Sequence, residues 1–305
     1  MNDGAEGPVV LDLPLNFRVG ARTVFALPRR MVRVAVSLAD AIEGRVPALP
    51  PLPAHADGYS LLSLPAGQPV ALPGMIAAER QRYPRYFADL TLGWDAYHAS
   101  LSGNLRSGLK RKAKKLAAAS GGAIDIRRYR TPVELQAFHA IARPLAAATY
   151  QEKLLAMGLP GDAGFVARML RLAAADRVRA WLLFVGGEAA AYLYCPITGG
   201  DVLYEYVGHA ERFDALSPGS VLQAEALRDL MAEGGFARFD FTEGEGQHKR
   251  QFSTGHVDCA DWLVLRGGLG NRAALAALAG FDGGVAWVKR RLTHLPRHSR
   301  KGGNP

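Results

Sequence analysis

Trp181-Leu182-Leu183-Phe184-Val185, Gly186-Gly187-Glu188, Ala189 to Ile197, Thr198-Gly199-Gly200-Asp201 and Val202 to His209 follow one another directly along the chain. Apolar runs of strand length separated by glycine pairs predict antiparallel strands joined by tight turns, because glycine enters the turn conformations that reverse a twisted ladder without steric cost. Three such strands are expected here. Ser217-Pro218-Gly219 then opens an amphipathic helix through Met231, Gly234-Gly235 stops it, and Arg238-Phe239-Asp240-Phe241-Thr242 reads as a further strand.

Working outward, Ile124 to Tyr129 reads as a strand and Thr131-Pro132-Val133-Glu134 as a helix start, with Thr131 capping and Pro132 in the first turn. Phe138, Ile141 and Leu145 recur on that helix at helical spacing, and a second helix covers about 163–175. Strand, helices, long hairpin, helix, strand is an α/β order with a mixed sheet. Before it, the pattern is helical from Trp94, with Leu105, Leu109 and Leu116 facing inward and Gly121-Gly122 ending the run. Residues 14–39 alternate as a small strand meander, the proline-rich stretch 46–53 is an extended linker, and strands are expected near 57–64 and 85–92. Residues 267–305 hold one or two short alanine-rich helices and a polar tail.

The chain has 305 residues, 49% of them hydrophobic and 21% charged, which suits a packed globular protein and excludes a disordered or fibrous one. Its net charge of +9 is local. Arg106, Lys110, Arg111, Lys112, Lys114 and Lys115 form one acid-free run, Lys289 to Lys301 another, and the remainder of the chain is slightly acidic. An anion site and a basic tail are expected, not a generally cationic nucleic-acid coat. Cys195 and Cys259 stand far apart outside any CxxC or Cys/His cluster, so neither a disulfide framework nor a zinc site is expected. The N-terminus lacks a basic segment followed by an apolar one, and the apolar stretch 181–197 is broken by Gly186, Gly187 and Glu188. A cytoplasmic location without a membrane span follows as an expectation.

The order of these elements, with Leu105 to Leu116, Thr149-Tyr150-Gln151, Gly187 to Tyr192, Leu216-Ser217-Pro218-Gly219-Ser220, Phe239 to Gly244 and Lys249-Arg250-Gln251-Phe252, resembles the GNAT acyltransferase superfamily. Within it the chain is similar to the GNAT-like proteins grouped with the cellulose-biosynthesis protein CelD, and more distantly to FemAB-like transferases. The resemblance implies a GNAT-type mixed sheet flanked by helices, two GNAT-like halves in tandem, and an N-acyltransferase using acyl-CoA, with acetyl-CoA first, as co-substrate and no metal. The implied acceptor is the amine of a small molecule or of a sugar or exopolysaccharide precursor. Nucleic acid enters only under the FemAB-like alternative, as aminoacyl-tRNA; a non-catalytic polysaccharide-biosynthesis accessory protein is the other. Domain boundaries are expected at 1–121 for a partial first half ending in the basic helix, 122–266 for the acyltransferase half, and 267–305 for helices and tail. Departing from the family's glutamine/arginine-glycine-glycine loop, only Leu216-Ser217-Pro218-Gly219-Ser220 stands between strand and helix.

Several residue groups can carry the chemistry. At Ser217, Pro218, Gly219 and Ser220 a helix N-terminus offers unpaired amides and a positive dipole end to a diphosphate, though Ser217 could simply cap the helix. Strand alternation puts Leu203, Glu205 and Val207 on one face and Tyr204 and Tyr206 on the other. Glu205, flanked by apolar neighbours, is the first candidate for a general base, and Tyr204 or Tyr206 for returning a proton to the leaving thiolate. Asp240 points away from Phe239 and Phe241 at a strand's C-terminal end, with Glu243, His248 and Lys249 in the glycine-rich loop after it; an ion pair of Asp240 with Lys249 or Arg250 is the structural reading. Tyr150 and Gln151 are acceptor-pocket candidates by resemblance alone. The basic helix could bind a nucleotide phosphate or serve as a solvated face.

Overall fold

The computed structural model describes residues 8–20, 22–148, 158–244 and 246–293. In chain order these form β1 (Val10–Asp12), β2 (Leu15–Val19), β3 (Arg22–Leu27), β4 (Arg30–Ala35), α1 (Leu38–Ile42), β5 (Gly58–Pro65), β6 (Met75–Asp89), α2 (Trp94–Ser100) and α3 (Gly103–Ala119). There follow β7 (Asp125–Tyr129), α4 (Pro132–Ala147), α5 (Ala163–Ala174), β8 (Val178–Val185), β9 (Glu188–Thr198), β10 (Asp201–Leu203), β11 (Tyr206–His209) and α6 (Pro218–Glu233). The chain ends with β12 (Arg238–Asp240), α7 (Gln247–Phe252), β13 (Gly255–Arg266) and α8 (Leu269–Thr293). Short 3-10 turns lie at Leu90–Leu92 and Glu211–Leu216.

Two compact units share these elements: one takes 1–36, 47–81 and 260–305, the other 37–46 and 82–259. The division departs from the expected boundary at residue 121, because α3 falls in the second unit and the chain returns to the first after Cys259. In the first unit β1 pairs antiparallel with β4, and β4 parallel with β5. Gly58 opens β5 where only glycine fits, since a Cβ there would lie 2.0 Å from the Val264 carbonyl oxygen. Leu15, Met31, Leu265 and Leu278 make up this unit's core. The tail contains one 25-residue helix, α8, where short pieces were expected.

The second unit holds the order β6-β12-β10-β9-β8-β7, with β11 also paired to β9. Its sheet is mixed: β10 and β12 run parallel, while β6/β12, β9/β10, β8/β9 and β7/β8 are antiparallel. Trp181, Leu183 and Val185 pack on one face with Leu109, Leu116, Leu222, Leu227 and Leu230 of α3 and α6. Leu182, Phe184, Tyr192 and Tyr194 pack on the other with Phe138 and Leu145 of α4 and Phe165 and Met169 of α5. Both faces are covered, which is why β8 and β9 read as continuous apolar runs instead of alternating ones. At the start of α4, the Thr131 hydroxyl accepts from the Glu134 amide and the Glu134 carboxylate accepts from the Thr131 amide, the expected cap in its reciprocal form.

Beside β9 the strand is irregular. Val202 pairs with Ile197, but Tyr206 pairs with Tyr194, so one extra residue sits between β10 and β11. An extra residue inverts the side-chain alternation. Tyr204 accordingly packs between Phe239 and Phe241, and Tyr206 against Phe165 and Tyr194 on the opposite face. The expectation that Tyr204 and Tyr206 share a face is thereby corrected, as is the grouping of Glu205 with Val207.

Candidate functional site

The same irregularity opens a cleft. β10 and β12 stay in register from Asp201↔Arg238 to Leu203↔Asp240, and the Tyr204 amide donates a last bond of 2.9 Å to the Asp240 carbonyl. Beyond that point β11 pairs with β9 alone, leaving its other edge facing a cleft of about 490 Å³. Val207, Gly208 and His209 of β11 form one wall, Gly219, Ser220 and Gln223 of α6 another, and Tyr204 and His248 close the end.

The first turn of α6 borders the cleft, which the acids Glu211 and Asp214 also line, Asp214 being paired with His209. Ser217 takes a left-handed conformation with φ 51° and ψ 52°, and its side chain makes no cap hydrogen bond, so simple capping does not account for this turn. A left-handed non-glycine residue is costly, of order 1–3 kcal/mol, and such strain clusters at ligand sites. Gly219 has room to spare: a Cβ there would meet only the His209 Nδ1, at 3.9 Å. Its missing side chain thus serves the cleft and not the packing. From the second helix on this face, α3, Lys112 reaches across to donate a 3.2 Å hydrogen bond to the Ser220 hydroxyl. Gln223, one turn further, is only 4% exposed, and its Nε2 has no hydrogen-bond partner. An orphaned buried donor costs about 1–3 kcal/mol. Tyr204 donates weakly to the Gln223 Oε1 at 3.5 Å, and burial pushes its phenol well above the ordinary value.

Glu205 stands on the other side of the strand. It is not simply enclosed by apolar neighbours: Arg168 of α5 donates to its Oε1 at 2.6 Å. Its Oε2 is buried without a partner, as is the hydroxyl of Tyr194. Burial, then the Glu205 charge, raises the phenol of Tyr206, and the same two causes raise Tyr194, so both stay protonated. One carboxylate oxygen is held and one is open, which is the arrangement of an oriented proton acceptor.

Asp240 and Lys249 do not meet. Asp240 is 1% exposed and lies in a fork with Arg85 of β6, Nε to Oδ1 at 3.1 Å and Nη2 to Oδ2 at 2.5 Å, while Oδ1 also accepts from the Thr242 amide at 2.8 Å. Despite the desolvation that opposes its charge, Arg85 is held above its ordinary pKa by that carboxylate. Lys249 donates instead to the carbonyl of Glu243 at 2.5 Å, and burial lowers its ammonium pKa. His248 is lowered by desolvation and then by the neighbouring Lys249 charge. Glu243 is exposed, and Tyr150 and Gln151 lie outside the described residues. Lys112 belongs to the basic run for which the sequence raises an anion site, whereas Gln223 and Arg168 are not singled out by the sequence and His209 reads as ordinary. Gln223 had a legible signal, the helical spacing that puts Gly219, Ser220 and Gln223 on one face. Among the described residues no group of His, Cys, Asp or Glu could hold a metal ion, and no helix is long and apolar enough to cross a membrane. Cys195 and Cys259 are both buried, and neither is in a disulfide.

Residues 103–250 match the family model of the acetyltransferase (GNAT) domain. No curated protein matches the chain. Among solved structures, the chain is similar to a conserved protein of unknown function from Bacteroides thetaiotaomicron VPI-5482, with 12% identity over 68% of this chain and 69% of that one and a TM-score of 0.46. It is also similar to FemX, at 9% identity, 61% and 65% coverage and a TM-score of 0.43. A GCN5-related N-acetyltransferase from Kribbella flavida matches at 14% identity, 64% and 62% coverage and a TM-score of 0.36.

Proposed function

We propose that this protein is an acyl-CoA-dependent N-acyltransferase, with an acetyl group and a small amine acceptor, such as a sugar or exopolysaccharide precursor, as the first expectation. One observation carries the reading: the cleft beside β11 ends on the strained start of α6, where Lys112 donates to Ser220 and Gln223, with an unpartnered Nε2, lines the wall. Helix amides, a lysine and an unpartnered amide donor together suit a diphosphate.

In this reading the pantetheine arm lies along the open edge of β11, and a backbone N–H of that edge receives the thioester carbonyl. The amine attacks the carbonyl carbon from the side of Glu205, which takes the proton the nitrogen loses. The C–N bond forms as the carbonyl becomes an oxyanion held by the strand amide, and collapse breaks the C–S bond. The departing thiolate takes its proton from Tyr204, the tyrosine that lines the cleft, whereas Tyr206 packs on the acceptor side. Asp240 has no part in this scheme beyond holding the end of β12 to β6.

Thermal unfolding with acetyl-CoA, longer acyl-CoAs and tRNA tests the reading. A ligand at 100 times its Kd stabilises by about 2.7 kcal/mol, so an acyl-CoA donor gives a visible shift. A shift with tRNA and none with any acyl-CoA transfers the proposal to the FemAB-like transferases, and no shift at all to a non-catalytic accessory role.

A further inference from the structure

A second concavity, of about 410 Å³, lies between α2, α3 and α6, all within the same unit. Its floor is apolar and aromatic. Trp94 and His98 stack at 5.3 Å with 28° between their planes, and Val221 and Ala224 of α6 complete that floor. Arg106 and Lys110 stand at its rim, four residues apart and so on one face of α3, both exposed and without an ion pair among the described residues. A solvated helix face explains exposed bases, but not their placement around an aromatic floor. Glu225, whose carboxyl burial pushes up, is the one acid lining the groove.

The groove adjoins the first turn of α6. Val221 directly follows Ser220, and Glu225 lies four residues beyond Val221, about 6 Å further along the helix axis at 1.5 Å per residue, a distance that a ribose bearing phosphates on two carbons can bridge. The bases of α3 divide accordingly: Lys112 turns to Ser220 at the cleft, while Arg106 and Lys110 turn to the groove. We propose that this groove takes the 3′-phosphoadenosine end of the donor, the base lying against Trp94 and His98, its exocyclic amine donating to Glu225, and the 3′-phosphate received by Arg106 and Lys110. The inference rests on the acyl-CoA reading and adds to it a specificity for the phosphorylated nucleotide. Arginine and lysine suit a phosphate monoester through charge-assisted hydrogen bonds.

The test is calorimetric titration of the full chain with CoA and with dephospho-CoA, which lacks only the 3′-phosphate. CoA binds about 10-fold more tightly or better, as loss of two charge-assisted contacts implies. The double variant R106A/K110A binds both alike, close to the wild-type affinity for dephospho-CoA, whereas K114A/K115A, with charges removed elsewhere on the helix, retains the preference. Adenosine 3′,5′-bisphosphate quenches tryptophan emission in the wild type, and W94F loses that quenching. Equal binding of CoA and dephospho-CoA by the wild type, or a preference that survives R106A/K110A, overturns this inference and leaves the donor reading intact. Binding of neither ligand overturns the donor reading, and this one with it.

Discussion

Asp240 and Glu205 are two carboxylates at neighbouring strand ends, yet their surroundings set them apart. Every oxygen of Asp240 is engaged, by the Arg85 guanidinium and the Thr242 amide, and the group is closed from solvent. Glu205 has one oxygen on Arg168 and one with no partner, next to the equally unpartnered hydroxyl of Tyr194. A satisfied buried ion pair holds structure together; a buried group with valence left over is complete only when something else arrives. The same contrast separates Gln223 from the capped start of α4.

The most damaging way to break that contrast is Asp240→Ala, which takes the forked carboxylate away from the buried Arg85 cation. Removing one partner of a buried pair costs roughly 3–5 kcal/mol, which lowers Tm by roughly 6–20 °C for a chain of this size class. Thermal unfolding reads the loss, and the folded fraction keeps its acyl-transfer activity. A small change in Tm with turnover abolished would instead return Asp240 to the reacting centre.

Glu205→Gln tests the other member. The amide keeps the shape and the Arg168 contact but accepts no proton, so turnover falls by about 10²-fold or more, the usual worth of a general base. Acetyl-CoA affinity is unchanged and Tm moves little, because the pair is partly exposed. Equal turnover in the variant removes Glu205 as the base.

Gly219→Val sharpens the comparison at the α6 terminus. Nothing but His209 stands near the added Cβ, so the variant folds, while the branched side chain occupies the cleft and acyl-CoA affinity drops about 10-fold or more, equivalent to 1.4 kcal/mol. Unchanged affinity by titration places the diphosphate elsewhere.

Gln223→Met has a smaller effect with opposite signs. Replacing an orphaned amide by an apolar chain of similar volume removes a desolvation cost, so the free protein gains about 1 kcal/mol in denaturant unfolding while donor binding weakens. A loss of stability instead would show that the amide has a partner of its own. Lys114→Ala with Lys115→Ala changes stability least, within about 0.5 kcal/mol, as solvated charges do.

Much of the second unit could be read in the chain. Glycine pairs at 186–187 and 199–200 set the hairpins, Thr131 and Glu134 set a helix start, and apolar runs marked strands buried on both faces. These signals are local, carried by residues within a few positions of one another. β6 extended ten residues upstream of its expected start, at Met75 instead of 85, because polar residues such as Glu79, Arg80 and Gln81 alternate into a strand only when neighbours pair with it. The site was legible in part: Glu205, Tyr204 and Ser217 to Ser220 line or flank the cleft, yet their companions Lys112, Arg168 and Gln223 come from three helices.

By itself, then, the sequence determined many of the strands and helices of the second unit, the turns that stop them, and that positive charge gathers on one helix, since propensity, capping and turn chemistry act over a few residues. Tertiary structure alone decided that Tyr204 and Tyr206 face opposite ways, because the extra residue between β10 and β11 exists only in relation to β9. It likewise decided that Asp240 belongs to Arg85, 155 residues distant in sequence, and not to nearby Lys249. Such pairings depend on which groups are desolvated together, and desolvation is a property of the packed chain.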